Sequence, residues 1–346
     1  MINIKKINWS STKISILGAG ISGKSAARLA NHLNINCYLS DSNLDINITD
    51  LDEIQIELGG HSNKVLESDI IVKSPGISNN IDIIRKAKKM NLNQTKEIAL
   101  SLLDTFKKAG SVSLELRKKG LKKEIKSDNT PVTNGDIEVN NILIKKISNL
   151  TPEIPIISEE NTENKMIKNL KDFWLIDPID GTQDYVNNKE EFTINAALII
   201  NKKPALGVIY APDKKRLFYS YGPSNSFEFV NNQEINLINQ NKKKLNIISA
   251  VSYSDILKPD ILKLHKKFKV NKYQMMKSSL KFCVIAAGEF DLYITEPRAH
   301  EWDIAAGHAI LEHAGGTLTD FNGNEIIYGK TDFKNPSLIL KGKYIS

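Results

Sequence analysis

The stretch Phe173-Trp174-Leu175-Ile176-Asp177-Pro178-Ile179-Asp180-Gly181-Thr182 constrains this chain more than any other. Four consecutive apolar residues read as a buried strand, and acids at the end of such a strand need partners that offset their burial. Two carboxylates three residues apart, followed by a Gly-Thr turn, suit a site that holds cations and works on a phosphate ester. Asp177 can bridge two ions, and Asp180 can bind one of them from the other side of the turn. The backbone of Gly181 and Thr182 can present N–H groups to a phosphate at a helix start. An isolated Asp-Pro-x-Asp-Gly would be an ordinary turn, but three further acid-ended segments accompany this one. Ile156-Ile157-Ser158 ends in Glu159-Glu160, and Asp128 to Asp136 ends at an acid before the amphipathic run Ile137 to Ile147. Glu301-Trp302-Asp303 stands at the mouth of an Ala-rich helix. Each acid lies at the end of an element, where ligands can converge, although singly any of them could be a helix cap or a solvated acid.

The ligand types on offer are carboxylates and carbonyls, with no His or Cys cluster. Hard oxygen donors select Mg²⁺, or Mn²⁺, over zinc. The two cysteines, Cys37 and Cys283, sit among apolar residues and read as separate buried thiols. With 346 residues, 41% hydrophobic and 25% charged, the chain has room for two domains. No apolar run approaches about 20 residues, so no transmembrane segment is expected. Met1 to Ser11 carries lysines but no apolar signal core, which makes the cytoplasm the expected compartment. The net charge of +7 comes from lysines that are scattered or in short runs such as Lys118-Lys119 and Lys242-Lys243-Lys244, with no interleaved aromatics. That pattern points away from nucleic acid and leaves a small polyanionic substrate as the natural partner.

Residues 1–95 read as a separate α/β unit with a parallel sheet. Strands are expected at Lys13–Leu17, Asn36–Ser40 and Asp69–Val72, with helices at Lys24–Leu33 and Ile81–Met90. Gly18, Gly20 and Gly23 form G-x-G-x-x-G with Asp41 at the end of the next strand, and Gly18 to Ser25 also fits the P-loop pattern. The first reading is preferred, because no strand ending in a metal-binding Asp follows to complete a P-loop site. Tight strand-to-helix packing alone would also select these glycines. A second amphipathic helix is expected from Glu97 to Leu121, opening a domain that spans 96–346.

Several segments together resemble the inositol monophosphatase-like metal phosphatases. They are Asn129-Thr130-Pro131-Val132-Thr133 with Asp136, Pro155 to Glu160, Trp174 to Thr182, Glu191 to Asn195, Gly207 to Pro212, Ser278 to Cys283, and Glu301 to His308. Ser278-Ser279-Leu280-Lys281-Phe282-Cys283 and Ala305-Ala306-Gly307-His308 make the chain most similar to the CysQ-type 3'(2'),5'-bisphosphate nucleotidases. The resemblance implies a layered αβαβα sandwich holding two or three Mg²⁺ ions (Mn²⁺ as the alternative). One ion would be held by Glu159, Asp177 and the carbonyl of Ile179, and a second by Asp177, Asp180 and Asp303. It also implies Asp136, Thr182 and Glu159 as catalytic residues, with the Thr182 hydroxyl polarised by Asp136. A helix N-cap is the other role open to Asp136. Gly181 and Thr182 would bind phosphate, and Ser278, Ser279, Lys281 and Arg298 would touch substrate; a solvated helix position is the plain alternative for Lys281. His308 and His313 are expected to be structural, and Trp302 to pack. Where family members often carry Pro-Arg-Phe-Gly, this chain has Thr295 to His300, and Glu296 adds negative charge near the substrate side.

The N-terminal unit resembles the first domain of the Mur ligases, MurD type. The resemblance rests on Ile16 to Ser25, Asp41, Leu58-Gly59-Gly60-His61 and Ser68 to Ile77. It implies a UDP-sugar site at Gly18, Gly20, Gly23 and Asp41, although a docking domain or a remnant would read the same. The ligase's ATP-binding domain does not follow, so no ligase activity is expected. The combined expectation is a two-domain α/β hydrolase that converts adenosine 3',5'-bisphosphate to AMP and phosphate. An inositol or sugar phosphatase is the nearest alternative, and a UDP-sugar-binding or cell-wall scaffold is the alternative of another class.

Overall fold

The computed structural model describes residues 9, 12–48, 51, 54–125, 131–160, 167, 169–239 and 248–345, with the side chains of 88–91 and 239 excepted. Residues 1–8, 10 and 11 of the N-terminal stretch, Asp128 to Thr130, and Lys242-Lys243-Lys244 therefore lie outside the described residues. The chain divides into two compact units, 1–93 and 94–346.

In the first unit, β1 (Lys13–Leu17) leads through the glycine turn into α1 (Ile21–His32), followed by β2 (Asn36–Asp41), β3 (Gln55–Leu58) and β4 (Ile70–Lys73). All pairings are parallel, in the order β3-β2-β1-β4. Gly18 has φ +94°, and a Cβ on Gly23 would lie 1.7 Å from the Gly18 carbonyl oxygen. These two glycines let helix and strand close on each other. Ile16, Ala19, Ala27, Ala30 and Leu39 fill the core between them.

Helix α2 runs unbroken from Asp82 to Lys119. The two helices read from sequence, Ile81–Met90 and Glu97–Leu121, are thus one. The intervening Asn91 to Lys96 contains neither Gly nor Pro, so nothing in it stops a helix.

The second unit continues with β5 (Lys123–Ile125), β6 (Pro131–Thr133), α3 (Asn134–Leu150), β7 (Ile156–Ser158), β8 (Phe173–Asp180) and the short α4 (Thr182–Val186). An antiparallel run follows: β9 (Thr193–Ile200), β10 (Lys203–Ala211), β11 (Arg216–Ser220), β12 (Ser226–Val230) and β13 (Gln233–Asn236). The chain ends with β14 (Ile248–Ser252), α5 (Pro259–Lys267), β15 (Val270–Met275), α6 (Leu280–Ala286), β16 (Leu292–Thr295), α7 (Glu301–His313), β17 (Thr317–Thr319) and β18 (Leu338–Lys341). Strands β7 to β13 form a seven-stranded sheet, and β15-β14-β16-β18-β17 form a five-stranded one.

Helices α6 and α7 lie between the two sheets. Helix α3 packs on β7 and β8, and α5 covers β15 and β16. Gly110 of α2 sits against Tyr210 and Pro212. The result is the layered αβαβα sandwich. The inner helices are apolar nearly all round, as a helix covered on both faces must be. Two close approaches hold α7 in register. A Cβ on Gly207 of β10 would lie 2.3 Å from the Ala306 carbonyl oxygen, and one on Gly307 would run into the Phe282 ring of α6. The first turn of α7, which carries Asp303, is thereby fixed against the sheet that carries Asp177.

Candidate metal centre and phosphate site

Strand β8 solves a parity problem. Side chains alternate across a strand, so acids three residues apart should face opposite ways. The ladder to β9 pairs Asp177 with Asn195 and Asp180 with Thr193, so one extra residue is inserted on β8. This bulge, at Pro178-Ile179, turns Asp180 back to the side that Asp177 faces. Proline suits the position because it has no N–H to give to the ladder. Gly181 follows at φ +91° and turns the chain into α4.

Glu159, Asp177 and Asp303 bring one carboxylate oxygen each within 4.8 Å of one another. Asp177 is fully buried, and among the described residues neither of its oxygens has a hydrogen-bond partner, apart from the Glu159 carboxyl, which can donate only if it holds a proton. Burial, with the nearby Glu159, Asp180 and Asp303 charges, pushes the Asp177 carboxyl well above the usual range. Asp303 is pushed the same way by burial and by Asp180 and Glu159, partly offset by the His300 N–H and by Lys281. A buried, unpartnered carboxylate among three others has no favourable reason to exist unless cations neutralise it. The donor set therefore fits Mg²⁺-type ions.

Asp180 is held from outside the cluster. The Ser279 N–H donates to Asp180 Oδ2, and the Ser279 hydroxyl lies 2.6 Å from the same oxygen and within bonding distance of the Asp303 carbonyl. Asn195 Nδ2 donates to Ser279 Oγ at 3.3 Å. Asp303 Oδ2 accepts the His300 N–H at 2.7 Å in a capping box. Trp302 packs, its ring stacked on His300 at 4.7 Å and tilted against Phe333.

Asp136 is not the N-cap of α3. Thr133 is, because it alone has the extended backbone and a hydroxyl facing the first N–H groups, and Asp136 takes the third helical position of the box. Its Oδ2 accepts from the Thr133 N–H (2.8 Å) and hydroxyl (2.6 Å). Its Oδ1 faces the Thr182 hydroxyl at 3.4 Å, and that hydroxyl also lies 3.1 Å from the Ile179 carbonyl. Burial raises the Asp136 carboxyl to about 6 against the pull of Thr133, with Glu160 adding to the rise.

The remaining expected residues divide. Lys281 is only 6% exposed; its ammonium donates to the carbonyls of Lys277 and Ser278 and lies over the Tyr293 ring. The solvated alternative for Lys281 fails because α6 is buried along its whole length. Ser278 and Ser279 are also buried, Ser278 facing the Leu280 N–H at 3.3 Å. Arg298 is exposed, its guanidinium 3.2 Å above the Tyr253 ring. It shares a cavity wall with Asp180, Asp303, Lys277 and Lys281. Glu296 is paired with Lys258, which offsets the added negative charge. His308 and His313 are buried and bonded to Tyr328 and the Gly222 N–H. The largest of the described cavities, about 930 Å³, is lined by residues such as Lys202, Tyr328 and Lys330 and contains none of the clustered acids. In the first unit Asp41 is committed: its Oδ2 accepts the Ala19 N–H (2.5 Å) and its Oδ1 the Asn43 N–H (2.8 Å). Both thiols are buried and unpaired. Sequence reading missed Asn195 and Lys277. Alternation along β9 could have shown that Asn195 faces the Asp177 side, while Lys277 could be found only from its place in the cavity wall.

Comparison with known proteins agrees with this geometry. The model of the inositol monophosphatase family matches residues 94–345. A curated protein of Buchnera aphidicola, named 3'(2'),5'-bisphosphate nucleotidase CysQ, is 38% identical over 224 residues, which is 64% of this chain and 82% of that protein. Its namesake from Salmonella typhimurium is 34% identical over 213 residues, 61% of this chain and 85% of that one. Among solved structures, CysQ from Bacteroides thetaiotaomicron superposes with a TM-score of 0.59 at 28% identity, covering 73% of this chain and 98% of its own.

Proposed function

This chain belongs to the inositol monophosphatase family, and we propose that it cleaves adenosine 3',5'-bisphosphate to AMP and phosphate with Mg²⁺ as cofactor. Its chemistry is hydrolysis of a phosphoric monoester. The observation that carries the reading is the buried, unpartnered Asp177 carboxylate facing Glu159 and Asp303. The names of the curated relatives support the substrate.

In this reading Glu159, Asp177, Asp180, Asp303 and the Ile179 carbonyl would hold the ions. Bound there, Mg²⁺ would supply charge stabilisation to the attacking and departing oxygens. The Thr182 hydroxyl orients the attacking water and passes a proton toward Asp136 Oδ1, the oxygen that Thr133 leaves open. Water attacks phosphorus in line, the bond from phosphorus to the ribose 3'-oxygen breaks, and that oxygen departs with its negative charge and takes a proton from solvent to become the 3'-hydroxyl of AMP. The N–H groups of Gly181 and Thr182 hold phosphate oxygens at the start of α4.

Ser279 has a different role from the substrate contact expected of it. Its N–H and hydroxyl orient Asp180, so it is a positioning residue. Ser279→Ala should raise the Mg²⁺ concentration for half-maximal activity by about 10- to 100-fold. A Mg²⁺ titration of activity, paired with calorimetric binding, reads this directly. An unchanged Mg²⁺ requirement would return Ser279 to the list of substrate contacts.

For the first unit the reading is a UDP-sugar site of Mur type, supported by the parallel order β3-β2-β1-β4 and the Gly18 turn ahead of α1. Asp41 serves there to brace the turn through Ala19.

The test of function is phosphate release with Mg²⁺ from adenosine 3',5'-bisphosphate against inositol 1-phosphate. The nucleotide should be preferred. Preference for inositol 1-phosphate would move the chain to another branch of the family with the same metal chemistry.

A further inference from the structure

Helix α4 opens with Thr182 and is only five residues long, Thr182–Val186. Its turn closes through the Asp184 and Tyr185 N–H groups on the Gly181 carbonyl, at 2.8 and 2.9 Å. A helix this short takes its position from tertiary anchors rather than from its own hydrogen bonds. Tyr185 is such an anchor. It is fully buried, and its hydroxyl donates to the Ser113 carbonyl of α2 at 2.7 Å. Burial and the Asp136 charge raise the phenol above its usual range against the pull of Arg117, so it keeps the proton that it donates. The ring lies 4.8 Å from that of Phe192, and the Arg117 guanidinium stands over the two rings at 5.6 and 5.3 Å. Arg117 is itself pinned by Asp213 at 2.6 Å and by the Lys189 carbonyl at 3.2 Å.

The same ring abuts α3. A Cβ on Gly135 would run into the Tyr185 hydroxyl, so α3 comes as close as only a glycine allows. Gly135 precedes Asp136, and Tyr185 lies three residues after Thr182, on the same face of α4. One side chain thus stands between the two helices whose first turns carry Asp136 Oδ1 and the Thr182 hydroxyl. These atoms are 3.4 Å apart, near the outer limit of a hydrogen bond, so a small shift of α4 would part them.

We propose that Tyr185 is a positioning residue for the hydrolytic step: anchored on α2, it sets the spacing of α3 and α4 and so the contact between Asp136 and Thr182. This rests on the roles given above to Asp136 and Thr182. The other role open to Tyr185 is that of an ordinary core aromatic.

The experiment measures kcat and KM for adenosine 3',5'-bisphosphate, with saturating Mg²⁺, in the full chain carrying Thr182→Ala, Tyr185→Phe or both. Phenylalanine keeps the ring against Phe192 and Arg117 and removes only the hydroxyl. Tyr185→Phe lowers kcat about tenfold. It leaves KM and the calorimetric Mg²⁺ affinity within about twofold of the wild-type values, since neither depends on the contact that is lost. Added to Thr182→Ala it costs nothing further, because no hydroxyl is left to align. Wild-type kcat in Thr182→Ala would overturn the pairing of Asp136 with Thr182, and this inference with it. If that pairing stands, two results overturn the role of Tyr185 alone. One is an unchanged kcat in Tyr185→Phe. The other is a loss that recurs in full beside Thr182→Ala or that falls on KM, as removal of an ordinary core contact would give. If the wild-type chain favours inositol 1-phosphate, the same comparison runs on that substrate. Cooperative thermal unfolding of each variant shows that the fold is kept.

Discussion

Asp177→Asn should abolish phosphate release and at the same time make the metal-free protein more resistant to unfolding at neutral pH. The loss of activity, on the order of 10³-fold or more, follows from removing the charge that both ions would share. The gain in stability follows from the same burial. In the folded chain the Asp177 carboxyl titrates well above its unfolded value because of desolvation and the charges of Glu159, Asp180 and Asp303. Above the unfolded value the folded state holds more protons than the unfolded one, so stability falls as pH rises toward the folded value. Asparagine does not ionise, and its amide can donate to the neighbouring carboxylates. The melting temperature of Asp177→Asn without metal should therefore exceed that of the wild-type chain, with a flatter dependence on pH. Adding Mg²⁺ reverses the order, since only the wild-type chain gains the full binding term. Melting curves with and without Mg²⁺ check all three statements; a variant that melts lower without metal would show that Asp177 has a structural partner after all.

Asp136 should set the acid limb of the rate profile. Its carboxyl sits at about 6 in the folded chain, against 3.8 when unperturbed. Below this value the proton occupies the carboxyl and the Thr182 hydroxyl loses its acceptor. For the bisphosphate, kcat/KM should thus rise with pH through about 6. Asp136→Asn should lower it by about 10²- to 10⁴-fold and remove that limb. Stability moves the opposite way. Between 3.8 and 6 the folded chain binds the extra proton, so Asp136 contributes a loss of stability across that window and a constant effect above it. An acid limb that survives in Asp136→Asn would assign the titration to another group. Thr182→Ala should lose rate comparably, because each acts through the other.

The sequence pattern by itself determined an α/β fold class and which acids stand at the ends of β7 and β8 and in the first turn of α7, while the layered form was implied by the resemblance of these segments to the metal phosphatases. Apolar runs that stop abruptly at carboxylates are a local signal. Burial periodicity and turn residues carry it without any knowledge of partners. What only the tertiary structure decided were relations between segments distant in the chain. The parity of Asp177 and Asp180 depends on a bulge that exists only against β9. The positioning of Asp180 by Ser279 joins residues 99 apart in sequence. The burial of Lys281 depends on both sheets closing over α6. Helix α2 shows the converse: sequence reading divided it at the expected boundary between the two domains, but a helix ends only where the backbone is stopped, and nothing from Asn91 to Lys96 stops it. Propensity and pattern act over a few residues, whereas the electrostatic character of a carboxylate is set by every charge that folding brings within several ångströms of it.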